Sequence, residues 1–137
     1  MLIHCIFAAM KLAMRLLFVF YALLLVWVSV NPSMGLSKIT INETTFRVDY
    51  PLHAIAFILF PIIGYFANGQ NGSHRLWWAF NSVSLSLAIG TEYLQLLISQ
   101  RTFNPYDILS NVLGLTIGIV LVKLYRWVYQ RQKQKSR

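Results

Sequence analysis

Apolar residues run in four long blocks along this 137-residue chain, and polar and charged residues gather in the stretches between them. The first block covers residues 12–30. Only Arg15 interrupts it, and Asn31-Pro32 closes it, a pair that discourages a helix because proline lacks an amide proton and crowds the preceding turn. As a helix, roughly 19 such residues rise far enough to cross the hydrocarbon layer of a bilayer. A second block follows at residues 50–66, with Pro51 where a helix's first turn accepts it. The turn-forming run of residues 68–75 leads into a third block, residues 76–98, which carries Glu92 and Gln95, and the fourth spans residues 106–122. No internal repeat is visible. The pattern predicts an all-α integral membrane bundle of four transmembrane helices: an N-terminal extension at residues 1–11, the bundle at residues 12–122, and a basic tail at residues 123–137.

Charge orients this bundle. Lys11, Arg15, Arg75 and the tail residues Lys123, Arg126, Arg131, Lys133, Lys135 and Arg137 fall on one side of a four-pass arrangement. By the positive-inside rule that side is the cytoplasm, so both termini are expected there, in a multi-pass protein of a bacterial inner or plasma membrane. Lys11 and Arg15 before an apolar core also fit a secretory signal, but no small-x-small cleavage site follows Val30, so the uncleaved helix is preferred. Trp77, Trp78 and Trp127 sit near predicted helix ends, where interfacial anchors belong. Residues 31–49 read as a polar loop whose Asn42-Glu-Thr44 sequon matters only in a glycosylating secretory pathway.

Composition agrees, with 57% hydrophobic and 12% charged residues and a mean hydropathy of +0.57, outside the usual range of a soluble domain. The net charge of +8 sits beside apolar blocks, so membrane lipids are the expected partners and nucleic acid is not. Cys5 is the single cysteine, which excludes an intrachain disulfide and a thiolate metal centre.

Candidate chemistry gathers near one predicted membrane face. Glu92 lies within an apolar block, where a carboxylate costs roughly 2.5 kcal/mol or more unless it is useful or neutralised. Gln95 and Ser99 follow on its helical face. Asp107, Asn111, Gly114 and Gly118 form one stripe along the fourth helix, and Gly114-x-x-x-Gly118 lets a neighbouring backbone approach. Ser82, Ser86 and Gly90 offer a small-residue row on the third helix, so the third and fourth helices are expected to pack through these two rows and bring Glu92 and Gln95 near Asn111 and Asp107. Asp49 and His53 open the second helix at the same level, and Arg101 offers a cationic fork for carboxylate or phosphate. Plainer roles compete. Asn104, Pro105 and Asp107 fit an N-cap, first and third helical position, Asp49 also fits a cap, and Asn111 and Gln95 fit interhelical hydrogen bonding. One histidine with scattered carboxylates is weak ligation, so no metal and no cofactor is expected.

Glu92-x-x-Gln95, Arg101, Asp107-x-x-x-Asn111-x-x-Gly114 and Gly118 together resemble the signature of VanZ-like membrane proteins, and Asp49-x-x-x-His53 resembles that family's second-helix pattern. Tyr50, Ala54 and Phe57 stand where the family commonly has lysine, an aromatic residue and tyrosine. The resemblance implies a small multi-helix membrane protein of bacterial type; the family's founding member is associated with resistance to the glycopeptide teicoplanin. It names no reaction. Three functions remain open: a cell-envelope protein whose outward-facing pocket of Asp49, His53, Glu92, Gln95, Arg101, Asp107 and Asn111 binds a lipid-linked precursor or other amphiphile; an enzyme using Glu92, His53 or Asp107 as acid or base on a lipid headgroup; and a structural or regulatory membrane partner.

Overall fold

The computed structural model describes residues 2–31, 38–41, 44–47, 49–69, 72–97 and 103–135. In chain order these form helix α1 (Leu2–Val30), strands β1 (Lys38–Ile41) and β2 (Thr44–Arg47), and helices α2 (Asp49–Asn68), α3 (His74–Leu96) and α4 (Pro105–Lys135). The four helices correspond to the four apolar blocks. The strands pair antiparallel with Lys38 opposite Arg47 and Ile41 opposite Thr44, inside the segment expected to be a loop. Its alternating Ile, Thr and Phe residues are strand formers, which accounts for the hairpin.

Two helices outrun their blocks. α1 takes in residues 2–11, since that stretch holds no proline or glycine, and α4 continues through the tail to Lys135 because Gln, Lys and Arg favour helix. Lys133 and Lys135 in its last turn also oppose the negative end of the helix dipole. Among the described residues, three helical segments are long and apolar enough to cross a membrane: Cys5–Val30, Tyr50–Asn68 and Pro105–Lys135. α3 has the length but carries Asn81, Ser82, Ser84, Ser86, Thr91, Glu92 and Gln95.

α2 and α4 make the most extensive contact, α3 packs against both, and α1 lies against α2 and α3. The closeness of α2 and α4 comes from glycine. A Cβ on Gly114 would strike the Ala54 carbonyl oxygen, and one on Gly118 would meet the Ile58 carbonyl and the Pro61 ring. The glycine pair therefore faces α2, which corrects the expectation that it meets Ser82, Ser86 and Gly90 of α3. Those serines are exposed, and a Cβ on Gly90 would find open space. At about 100° per residue, the buried residues of α3 (Trp77, Asn81, Ser84, Ala88, Thr91, Glu92 and Gln95) fit an arc of about 100°, and Ser82, Ser86 and Gly90 centre about 170° from its middle.

One core cluster joins Phe18, Phe57, Phe60, Ala88 and Leu115; a second joins Tyr65, Trp77 and Val122. Phe18 meets Phe60 and Phe80 edge-on, with centroids 5.4 and 4.7 Å apart, the arrangement the ring quadrupole favours. Trp77 is buried here and is not an interfacial anchor; adjacent helical residues point about 100° apart, so only one tryptophan of the pair faces out, and that is Trp78. α1 runs antiparallel to α2. Tyr21 donates its hydroxyl to Ala56 O at 2.8 Å, and Arg15 Nε donates to Ala67 O at 3.3 Å, satisfying a carbonyl of α2's last turn. Gly69 ends α2 with φ of 80°, the left-handed conformation that glycine adopts without strain.

Candidate functional site

α2 and α4 begin, and α3 ends, at the same end of the bundle, and the buried carboxylates Glu92 and Asp107 lie there with Gln95 and Asn111. His53 comes from the second turn of α2, Glu92 from the last turns of α3, Asp107 and Asn111 from the first two turns of α4. Glu92 and Asn111 are fully buried, and Gln95 and Asp107 nearly so. His53 is partly buried.

Asn111 orders this arrangement. Its Nδ2 donates to Ala88 O on α3 at 3.1 Å, and since a carbonyl only accepts, the amide orientation is set and Oδ1 is left to face His53. His53 Nδ1 lies 3.0 Å from that oxygen and must be the protonated nitrogen. One side chain thus ties α2, α3 and α4 together and leaves His53 Nε2 as the nitrogen with a lone pair to offer.

Asp107 is held by the start of its own helix. Asn104 accepts the Tyr106 amide at 3.2 Å through Oδ1, as an N-cap does, and donates Nδ2 to Asp107 Oδ1 at 2.9 Å. The capping role of Asp107 is therefore present, and it does not exhaust the residue. One ligand-type atom from each of His53, Glu92 and Asp107 lies within 4.8 Å of the others. The two carboxylates and the histidine meet at one point because α2, α3 and α4 each present one of these residues to a common axis. The N-termini of α2 and α4 both lie at this end, and their dipoles favour negative charge there.

Gln95 is buried one turn beyond Glu92. Asp49 is the first residue of α2. Arg101 and Ser99, like Asn42 and Glu43 of the sequon, lie outside the described residues. Gly114 and Gly118 belong to the helix contact below the cluster. An apolar groove of about 200 Å³, lined by Ile62, Tyr65, Phe66, Leu121, Val122 and Tyr125, sits toward the opposite end of α2 and α4 and shares no residue with it.

The family model described as VanZ/LLP1 matches residues 18–126, well over half of the chain. The chain belongs to the VanZ/LLP1 family. The match encloses α2, α3, the whole polar cluster, most of α4 and the C-terminal part of α1. No curated protein and no solved structure matches the chain. Within this VanZ/LLP1 chain Asn104, which holds a residue of the cluster, is not marked as a site component by the sequence. Asn104 is more than a cap, since it also holds Asp107, and it lies 3.5 Å from the Tyr50 hydroxyl. Tyr50 and Tyr106, rings 6.2 Å apart, and Tyr93 and Phe103, rings 5.7 Å apart, are aromatic pairs at the same end. The signal available for Asn104 was its position three residues before an interior carboxylate.

Proposed function

We propose that this VanZ/LLP1 protein is a four-pass protein of the bacterial cell envelope, with both termini in the cytoplasm, whose outward-opening polar cluster binds the polar head of an amphiphile. Lipid-linked envelope precursors, phospholipids and lipid-tailed glycopeptides are the candidate ligands. The observation that carries this reading is the convergence of His53, Glu92, Asp107 and Asn111 from three helices at one end of the bundle. Acidic, basic and amide groups in such a place offer complementary contacts to a headgroup whose tail remains in lipid.

Support for the orientation comes from the opposite end. Lys11 lies beside Gly69, Arg15 reaches the end of α2, Arg75 opens α3, and Lys123 lies 5.9 Å from the Trp78 ring centroid. A basic end is what the positive-inside rule assigns to the cytoplasm. α3 crosses with its polar arc turned toward α2 and α4, which is how a helix of lower hydropathy is tolerated.

Headgroup binding is tested by native mass spectrometry of protein extracted from bacterial membranes, with the unaltered chain compared to Glu92→Gln and His53→Ala. The expected result is a co-purifying amphiphile that both substitutions remove. Equal retention by folded variants refutes the pocket. A catalytic version of this reading, in which His53 or Glu92 exchanges a proton with the headgroup, is favoured by the fixed imidazole orientation. It requires that purified protein convert radiolabelled envelope lipids, and conversion that survives both substitutions rules these residues out as the acid or base.

A further inference from the structure

We propose that His53, Glu92 and Asp107 form a binding site for a divalent cation, with Asn111 as the residue that positions the imidazole. The idea shares its residues with the proposed function but needs no amphiphile.

Geometry supplies the first reason. Three atoms no more than 4.8 Å apart pairwise all lie within about 2.8 Å of some common point, and shortening by several tenths of an ångström reaches the roughly 2.0–2.2 Å of zinc–imidazole and zinc–carboxylate bonds. Small side-chain rotations cover that gap. Because the three residues sit on three helices, the site exists only in the assembled bundle.

Electrostatics supplies the second. Two buried carboxylates around one divalent ion make a neutral unit, the state that a low-dielectric interior favours over two separate like charges. A proton held between the carboxylates is the competing arrangement, and the experiment below separates the two.

The surroundings of the histidine supply the third. A metal-bound imidazole donates its other ring nitrogen to an acceptor that fixes the tautomer and orientation; with Nε2 as the ligand atom, His53 Nδ1 makes that bond to Asn111 Oδ1 while Ala88 O holds Asn111 in place. Asp107 has a comparable support in Asn104 Nδ2. One nitrogen and two carboxylate donors suit zinc or manganese better than calcium or magnesium, which prefer oxygen alone, or copper(I), which prefers sulfur. Three protein ligands leave a coordination position for water or for an anionic oxygen.

The full chain is purified in detergent, stripped with a chelator, and titrated with Zn²⁺ or Mn²⁺ alone. Bound ion is counted by elemental analysis, and the visible absorption of added Co²⁺ reads the coordination. One ion per chain is expected in the unaltered protein. Binding should weaken by more than about 100-fold in His53→Ala, Glu92→Gln and Asp107→Asn, by about 10- to 100-fold in Asn111→Ala, and not at all in His4→Ala, His74→Ala or Cys5→Ser. Should a ligand variant fail to fold, the unaltered protein still decides, because the ion must raise its thermal midpoint and the Co²⁺ spectrum must show nitrogen and oxygen ligation. Absence of stoichiometric ion in the unaltered chain, or binding that persists in all three ligand variants, overturns the site and leaves the shared proton. If ion binding fails while Glu92→Gln still abolishes capture of an amphiphile, the headgroup pocket survives without a metal. The opposite pair of results retains the metal site and removes the pocket.

Discussion

Asn111 carries more of the site than its neutral side chain implies. Fully buried, it uses its donor on α3 and its acceptor on α2, so its removal breaks two interhelical contacts and frees the imidazole to rotate. Asn111→Ala is expected to destabilise the protein by about 1–2 kcal/mol, measured by chemical unfolding in detergent. Asn104→Ala should cost about 1 kcal/mol through the lost cap, and it should also disturb any property that depends on Asp107. Glu92 was legible in the sequence because an acid inside an apolar block stands out against its neighbours. The pairing of His53 with Asn111 was not legible in the same way, since residues 58 positions apart meet only once the helices have chosen their partners. Asn104 was recognised as a cap, and that role explained it so fully that its hold on Asp107 left no further mark in the sequence.

At the scale of one helix, α3 shows how far periodicity reaches. Two faces of this helix looked inward by different criteria: the Glu92 face by charge, and the Ser82, Ser86 and Gly90 row by size. A helix about 10 Å wide cannot turn both to the same neighbours. The carboxylate face won because a polar group left facing lipid costs more than a serine or glycine does. The consequence can be measured as thermal stability in detergent. Ser86→Leu should stay within about 0.5 kcal/mol of the unaltered protein, whereas Ser84→Leu should lose about 1–3 kcal/mol by overpacking. Gly90→Ala is expected to be neutral or to gain up to about 1 kcal/mol of helix propensity. Gly114→Ala, whose new methyl meets the Ala54 carbonyl, should lose about 1–3 kcal/mol. The glycine spacing in the sequence announced a close contact but could not say which helix made it, because any backbone satisfies it equally.

For the molecule as a whole, the four blocks were readable and their ends were not. α4 has 31 residues and so extends about 46 Å, well beyond the roughly 30 Å of a hydrocarbon core. Its basic end is expected to stand in the cytoplasm as a continuous helix, with Arg131 stacked 3.7 Å from the Trp127 ring centroid. A fluorescent protein fused after residue 137 should fold and fluoresce, and an alkaline phosphatase fused at the same place should be inactive; the reverse result inverts the proposed orientation. Block length announces that a helix crosses, but the chain beyond the apolar stretch was free to be helix or coil, and only helix propensity decided it.

The glycine contact also divides the polar cluster into unequal parts. His53 and Asn111 ride on α2 and α4, which behave as one beam because backbone abuts backbone, while Glu92 arrives on a helix held by side chains. If the proposed site takes a ligand, the seam between the beam and α3 is the weaker one to part, and the acid is the group that would swing aside.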